Sequence, residues 1–187
     1  AIVLSPLGEI TVAAHQIAIS ITSQLFMIPM SLAIALTIRV GTYYGSQNWA
    51  SMRRVQVIGL ATGTVFALIT MLLLWLLRAE IVSLYTFDYD VAALAVYLVL
   101  FAIAYQLMDA WQVSAAGCLR GMQDTKGPMW ITMLAYWIIA FPVGIYLSRF
   151  TDMGAAGVWI GLIVGLTVAC ILLISRLMIM NKRITRL

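Results

Sequence analysis

Five long apolar runs occupy most of this 187-residue chain and constrain its fold more than any other feature. A helix needs about 20 mostly apolar residues to cross a bilayer, and each run reaches that length. The loops between the runs are short, carry nearly all the charge and leave no room for a soluble domain. The sequence therefore predicts an all-α fold, a polytopic membrane helix bundle that occupies residues 1–187. The predicted spans are residues 11–38, 55–77, 91–117, 128–147 and 154–180.

The composition supports the membrane class and argues against two others. Hydrophobic residues make up 64% of the chain and charged residues 10%, whereas a soluble domain carries about 25% charged residues. The net charge of +4 does not indicate a nucleic-acid partner, because the basic residues lie in short loops rather than on one solvated face. The chain shows no zinc-ligand spacing, no phosphate-binding loop and no convincing hydrolase triad. We therefore expect neither an enzyme nor an organic cofactor, and we interpret Cys118 and Cys170 as unpaired thiols.

The loops alternate in charge along the chain, which predicts the orientation. Lys and Arg are concentrated in cytoplasmic loops of membrane proteins. One set of loops holds nine of the eleven basic residues, so we place that set and the C-terminus in the cytoplasm, and the first span then runs inward. These residues are Arg39, Arg53, Arg54, Arg120, Lys126, Arg176, Lys182, Arg183 and Arg186. The opposite set holds Arg78 and Arg149 with Glu9, Glu80, Asp88, Asp90 and Asp152.

Asp109 is an acid inside the third apolar run, where an acid is costly. A carboxylate at the centre of a spanning helix costs about 2.5–3.5 kcal/mol on insertion scales. Such residues usually face a bundle interior or a water-filled cavity, where they bind an ion, relay a proton or pair with a base. The alternative is a neutral acid that only hydrogen-bonds a neighbouring helix. Asp109 is therefore the first candidate for a functional residue.

Other polar side chains share the helix face of Asp109. Tyr105, Asp109 and Gln112 fall at helical spacing, and residues four apart are neighbours on a helix. A carboxylate with neutral oxygens suits Na⁺, a hard cation that prefers oxygen ligands as Ca²⁺ and Mg²⁺ do. Burial favours the protonated carboxyl and a bound cation favours the ionised one, so a proton and Na⁺ can compete for one site. We predict an ion-coupling site at these three residues, with Asp109 as the Na⁺ ligand.

The first apolar run carries a second polar stripe. One interpretation is hydrogen bonding between helices, and the other is the lining of a cavity that includes Gln16 and Ser20. Pro29 lies in the middle of this run and predicts a kink. His15 lies near the outer end, where an exposed or packed histidine is expected rather than a ligand. The stripe consists of Gln16, Ser20, Ser23, Met27 and Ser31, with Gln24 beside it.

Small residues and helix breakers mark the other runs. Gly59 and Gly63 in the second run, and Gly157, Gly161 and Gly165 in the fifth, have the spacing that lets helix backbones approach closely. We predict that these glycines serve packing. In the fourth run, a breakable helix is indicated by three residues: Tyr136, Pro142 and Gly144.

Five stretches in order resemble one transporter family. The chain is similar to the C-terminal half of the multidrug and toxic compound extrusion (MATE) transporters of the bacterial NorM type. Each motif alone is weak, but their order, spacing and loop polarity together are specific, and they cover essentially the whole chain. The stretches are SPLGEITVAAHQIA, FMIPMSLAIALTIRVGTYYG, AYQLMDAWQVSAAGCLRGMQDTKGPM, AYWIIAFPVG and GAAGVWIGLIVGL.

The resemblance implies a twelve-helix antiporter of two six-helix lobes around a central cleft. Residues 1–4 would be the tail of the seventh helix, and the five spans would be helices eight to twelve. Asp109 would be the coupling acid on the tenth helix, with Tyr105 as the family's tyrosine one turn earlier. Gln16 matches a glutamine that faces the cleft, and Asp88 matches an acidic position near the outer end of the tenth helix. The family's partner glutamate and the N-terminal lobe would precede residue 1.

The resemblance also implies a function. The family exports cationic amphipathic drugs in exchange for Na⁺ or H⁺, here across a bacterial inner membrane. One alternative is a lipid-linked sugar flippase of the same superfamily, for which a more cationic cavity would be expected. Another is a structural membrane module that transports nothing, for which neutralising Asp109 would have no effect on function.

We predict that Gln47 and Tyr89 lie on opposite sides of the membrane, because they flank different loop sets. Single cysteines at these positions, in a background lacking Cys118 and Cys170, should react with an impermeant thiol reagent from opposite sides. Intact cells should show labelling at position 89 and require permeabilisation for labelling at position 47. Labelling of both positions in intact cells would contradict the topology.

Overall fold

Long helices make up nearly all of the structure, a computed structural model that describes residues 8–151 and 153–184. Helices α4 and α5 are joined by a π-helical segment, so that these three elements form one span, Lys126–Phe150. Within the described residues, five helices are long and apolar enough to cross a membrane, which confirms the predicted all-α class. The elements are α1 Glu9–Gly45, α2 Trp49–Ser83, α3 Tyr89–Gly121, α4 Lys126–Leu134, the π segment Ala135–Ala140, α5 Phe141–Phe150 and α6 Ala155–Ile184.

The helices extend past most ends of the predicted spans because polar caps, rather than the last apolar residue, end them. Asn48 caps α2 by accepting a hydrogen bond from the Ser51 amide at 3.1 Å. Asp88 caps α3 by accepting from the amides of Asp90 and Val91 at 2.9 and 3.1 Å. Side-chain oxygens at these positions satisfy amides that have no partner within the helix. The predicted helix tail at residues 1–4, together with Asp152 and Arg186, lies outside the described residues.

Helix α3 lies at the centre of the bundle and packs against α1, α2 and α6. An apolar cluster at its N-terminal half includes Leu98 and Trp159. A second cluster at its C-terminal half includes Leu119, Met122 and Leu173. Since lipid tails are as apolar as these side chains, close packing rather than the hydrophobic effect holds the helices together. Residues on α3 therefore face three neighbouring helices within one bundle.

Glycines make the closest helix contacts, as the spacing predicted. An added Cβ at Gly161 would lie 2.5 Å from the Cα and N of Gly144 on α5. An added Cβ at Gly157 would lie 2.6 Å from the Leu147 carbonyl carbon, and one at Gly59 would meet the Leu36 side chain. Any side chain at Gly161 would therefore force α6 away from the fourth span, because backbone atoms cannot move aside as a flexible side chain can.

The predicted break in the fourth run takes the form of a π-helical turn. The six residues Ala135–Ala140 are π-helical, and the Phe141 amide bonds the Tyr136 carbonyl five residues earlier. Pro142 follows directly and has no N–H for the carbonyl four residues before it, which favours a local change in the hydrogen-bond pattern. By contrast, α1 continues as an α-helix through Pro29. The sequence located the irregularity in the fourth span but not its type.

An ion pair joins the loop after α3 to α6 at the predicted cytoplasmic end. Asp124 accepts two hydrogen bonds from the Arg176 guanidinium, at 2.5 Å from Nε and 3.0 Å from Nη2, and a third from the Gly127 amide. An added Cβ at Gly127 would lie 2.1 Å from the Arg176 Nε, so the absence of a side chain there makes room for the guanidinium. The hydrogen bond from Arg176 lowers the pKa of the Asp124 carboxyl. This contact ties the start of the fourth span to α6.

We expect Gly161→Ala in the full-length protein to destabilise the bundle by about 1–3 kcal/mol, because overpacking a close contact forces backbone to move. The measurement is the midpoint of thermal unfolding in detergent. Gly45→Ala is the matched control, since open space surrounds Gly45 at the end of α1. An unchanged midpoint for Gly161→Ala would contradict the close packing of α6 on the fourth span.

We expect Asp124→Asn to lower thermal stability at neutral pH by about 1 kcal/mol or less, as for most exposed ion pairs. A carboxyl whose pKa is lowered on folding contributes stability above its ordinary pKa of about 3.9, and that contribution disappears as pH falls through the lowered value. The difference between wild type and variant should therefore vanish in acid. In an Arg176→Gln background, Asp124→Asn should have a much smaller effect. A difference that persists at low pH would contradict the ion pair as its cause.

Candidate functional site

A cavity of about 350 Å³ surrounds Asp109 between α1, α3, the π segment and α6. Asp109 is the charged member of its lining, and the other side chains are aromatic, aliphatic or hydroxyl-bearing. The lining residues are Ile19, Thr22, Ser23, Phe26, Met27, Tyr105, Asp109, Tyr136, Trp159, Leu162 and Leu166.

The Asp109 carboxyl shares its cavity with two phenols. Its charge acts on the hydroxyls of Tyr105, one turn earlier on α3, and Tyr136, on the fourth span. Within residues 8–151 and 153–184, no Lys or Arg forms an ion pair with it. A partly buried carboxylate without a base is costly unless a cation, a proton or water compensates its charge. The arrangement is therefore suited to binding a cation or a proton.

Tyr105 is held in place from two sides. Its ring stacks on the Trp159 ring of α6, with centroids 6.1 Å apart and an interplanar angle of 16°. Its hydroxyl lies within interaction range of Thr22 on α1, whose own hydroxyl donates to the Ile19 carbonyl at 2.9 Å. Trp159 is 1% exposed and meets the edge of His15 at a centroid distance of 5.9 Å. These contacts direct the Tyr105 phenol toward the cavity and assign His15 to packing, as the sequence indicated.

Tyr136 is the site residue that sequence reasoning missed, because it was treated only as a mark of a breakable helix. Its hydroxyl donates to the Gln112 amide oxygen at 3.1 Å, and its side chain is half-buried in the cavity wall. Gln112 itself is buried behind it. A hydroxyl in the middle of an apolar run was the available signal, but its distance from Asp109 in sequence concealed the contact.

The structure brings Tyr105, Asp109 and Gln112 to one region and leaves the predicted cleft residues elsewhere. Gln16 is exposed on α1 and Ser20 half-buried, and neither lines the Asp109 cavity. Asp88 is exposed and caps α3. The assignment of these three to a substrate cleft stays a prediction.

The polar stripe of α1 divides along its length. Ser23 and Met27 line the Asp109 cavity, whereas the Ser31 hydroxyl donates to the Met27 carbonyl at 2.8 Å within the helix. Gln106, next to Tyr105 on α3, faces α2 instead and donates to Thr70 at 3.2 Å. The cavity-lining interpretation therefore applies to Ser23 and Met27, whereas Ser31 bonds within its own helix rather than between helices.

The donor set at Asp109 fits a hard monovalent cation. In the described part of the chain, no group of three or more His, Cys, Asp or Glu side chains could hold a metal ion. A transition-metal site is therefore not indicated there. One carboxylate and the hydroxyls of Tyr105, Tyr136 and Thr22 offer oxygen ligands to Na⁺.

A larger cavity of about 680 Å³ lies at the predicted cytoplasmic end. Its lining includes Asp124 and Arg176, which neutralise each other, together with Arg183 and several aliphatic side chains. Because the acid there is already paired, this cavity lacks the unpaired carboxylate that distinguishes the Asp109 cavity. The Asp109 cavity is therefore the stronger candidate site.

Comparisons with known proteins point to one family. The MatE family matches residues 1–146. The chain is 68% identical over 186 residues to "Probable multidrug resistance protein NorM" of Acinetobacter baylyi, covering 100% of this chain and 41% of the relative. It is 43% identical over 182 residues to "Multidrug resistance protein MdtK" of Proteus mirabilis, covering 95% and 40%. The chain thus spans about two fifths of the length of these relatives.

Solved structures show the same fold. The eukaryotic MATE transporter AtDTX14 matches with a TM-score of 0.86 at 22% identity, covering 95% of this chain and 40% of that one. A MATE structure in the bent conformation matches with a TM-score of 0.89 at 17% identity, covering 96% and 39%.

Proposed function

The chain belongs to the MatE family, and from that premise we propose that it forms one half of a cation-coupled multidrug efflux antiporter. The other half would be an N-terminal lobe, and the pair would lie in a bacterial inner membrane. The substrates would be cationic amphipathic drugs, exchanged for Na⁺ or H⁺. The relatives support efflux of drugs, since several are named multidrug resistance proteins.

The observation that carries the proposal is the unpaired Asp109 carboxyl in a cavity inside the spanning region. Its lining offers hydroxyl oxygens and aromatic side chains, and among the described residues it includes no basic side chain. A charge in this position is costly unless it is neutralised, and intramembrane acids typically mark ion pathways. Asp109 would bind the coupling cation when ionised and lose it when protonated. Tyr105 would supply a neutral oxygen. Gln112 accepts a hydrogen bond from the second phenol, that of Tyr136.

The coupling follows from opposite preferences of ion and drug. A ligand shifts a conformational equilibrium only by its differential affinity for the two states. In two-lobed transporters, one bundle rocks against the other around a site near the membrane midplane. If the cation binds one arrangement of the lobes and the drug the other, each ligand drives the release of its competitor. The Asp109 carboxylate is the negative charge to which both the coupling cation and the cationic drug would bind.

The same lining suits drugs that are cationic and partly apolar. Phe26 and Tyr105 contribute aromatic rings to the lining, and such rings attract organic cations when water is excluded. Met27, which is 64% exposed, adds a flexible side chain that adapts to differently shaped ligands. A single acid with adaptable apolar walls favours recognition by charge and hydrophobicity over recognition of one molecule.

The lining argues against the flippase alternative. Recognition of a lipid-linked sugar phosphate would favour basic side chains, yet Asp109 is the charged residue of the described lining. Basic residues are grouped at one end of the bundle instead, including Arg53 and Arg183 near the ends of α2 and α6. That grouping favours a cytoplasmic C-terminus. The Asp109→Asn variant distinguishes the proposal from a structural module that transports nothing.

We expect Asp109→Asn in the full-length protein to reduce ion-driven efflux to the rate seen without an ion gradient. The substitution keeps the shape of the side chain and removes its charge, so folding and membrane level should change little. Asp109→Glu should retain partial activity, because the charge survives with a different reach. The measurement is efflux of a cationic dye from proteoliposomes under an imposed Na⁺ or H⁺ gradient.

Expression and detergent stability of each variant are the controls. Asp90→Asn serves as a matched substitution, since Asp90 is an exposed acid at the outer end of the same helix. Wild-type transport with unchanged ion dependence in Asp109→Asn would contradict the coupling role and favour the structural module.

A further inference from the structure

The π segment determines where Tyr136 lies. A π turn holds more residues than an α turn and is therefore wider, and it often occurs at functional sites. Gly165 on α6 makes room for this widening. An added Cβ at Gly165 would lie 2.4 Å from the Ala140 Cβ and 3.0 Å from the Ala135 carbonyl oxygen, which are the two ends of the π segment. The irregular turn is therefore built into the contact between α6 and the fourth span.

This turn presents a phenol to the Asp109 cavity from a helix other than α3. Tyr136 lines the cavity together with Tyr105 and Asp109, so two phenols from two spans share one cavity with the carboxyl group. The Tyr136 hydroxyl donates a hydrogen bond to the Gln112 amide oxygen at 3.1 Å. A hydroxyl that donates a hydrogen bond still has its lone pairs free to accept one or to bind a cation. The donated hydrogen bond also polarises the oxygen and strengthens it as an acceptor.

A cation needs more oxygens than α3 alone provides. Within the described residues, Asp109 has no basic partner, and Na⁺ resembles other hard cations in preferring several oxygen ligands. Tyr105 is held by Trp159 and Thr22 on one side of the cavity. Tyr136 supplies the hydroxyl from the fourth span, and its proton is already directed away from the carboxylate by Gln112.

From this geometry we propose that Tyr136 is a direct oxygen ligand of the coupling cation at Asp109 and that Gln112 is a positioning residue that orients its hydroxyl. The proposal rests on the proposed cation coupling at Asp109. A cation bound in this way bridges α3 and the fourth span through the π turn. Its affinity then depends on the position of the fourth span, which links ion occupancy to the arrangement of the helices.

The test is equilibrium binding of radioactive sodium to the purified full-length protein in detergent. Tyr136→Phe removes the oxygen and keeps the ring. Its sodium dissociation constant should rise about tenfold, the loss expected when a charge-assisted contact worth about 1.4 kcal/mol disappears. Tyr146→Phe is the matched control, because Tyr146 is an exposed tyrosine of the same span that stacks on Phe150 outside the cavity. It should bind sodium as wild type does.

The double variant distinguishes a ligand from a merely structural phenol. Gln112→Met keeps the size of the side chain and removes the acceptor, so sodium affinity should fall by about threefold, less than in Tyr136→Phe. In the Tyr136→Phe background, Gln112→Met should have no further effect on affinity, because Gln112 acts through the hydroxyl. Independent, additive losses would overturn the positioning role. This comparison uses the ratio of affinities, and it is made on monodisperse protein with an unchanged unfolding midpoint.

The outcomes separate this proposal from the proposed function. If Asp109→Asn abolishes sodium binding and Tyr136→Phe binds as wild type does, Tyr136 is not a ligand, although the coupling site stands. If wild-type protein shows no sodium binding that depends on Asp109, the ligand role is overturned, while proton-driven efflux through Asp109 is judged by the proteoliposome assay. If Tyr136→Phe cannot be purified in folded form, Gln112→Met alone decides, and an unchanged sodium affinity in that variant would overturn the proposal.

Discussion

Close contact between helix backbones is the constraint on which the rest of this structure depends. Lipid tails are as apolar as leucine, so helices in a membrane gain little from burying leucine against each other and rely on close packing. Gly161 and Gly165 bring α6 against the fourth span, and Gly117 on α3 would place an added Cβ 2.5 Å from the Ala33 carbonyl oxygen of α1. These contacts set the distances between α1, α3, the fourth span and α6. The Asp109 cavity is the space that remains between those four.

Several polar side chains in the spans are satisfied within the bundle. Threonine hydroxyls donate to carbonyls of their own helices, as Thr64 does to Leu60 at 2.9 Å and Thr132 to Pro128 at 2.8 Å. Thr64 also accepts a hydrogen bond from the Trp111 indole of α3 at 2.7 Å. Satisfied groups of this kind hold helices in register and need no ligand. Asp109 differs because its charge has phenols rather than a base as neighbours, and this contrast distinguishes a site from ordinary interhelical bonding.

The irregular turn in the fourth span connects packing with chemistry. Proline in a membrane helix is tolerated where neighbouring groups satisfy the freed backbone carbonyl, and here a π turn precedes Pro142. Gly165, opposite the turn on α6, provides the space for it, and the turn places Tyr136 against Gln112. A π turn in the cavity wall fits the frequent occurrence of such turns at functional sites.

The sequence by itself determined the five helices, the costly acid and the glycine contacts. Each of these depends on local properties: the length of an apolar run, the desolvation of one charge or the absence of one side chain. Tyr105 was also predictable, since it lies one helical turn from Asp109. The ends of the helices were less predictable, because capping residues such as Asn48 and Asp88 extend them beyond the apolar core.

The tertiary structure alone decided which polar residues meet. Thr22 and Tyr136 are 87 and 27 residues from Asp109 in sequence, yet both line its cavity. The pairing of Gln112 with Tyr136 depends on how two helices are rotated about their axes. The residue pattern of a single helix does not give that rotation. Helix rotation and the π turn are set by the sum of many close contacts between spans. The sequence therefore identified the charge that needs a partner, and only the packing of the helices determined which oxygens surround it.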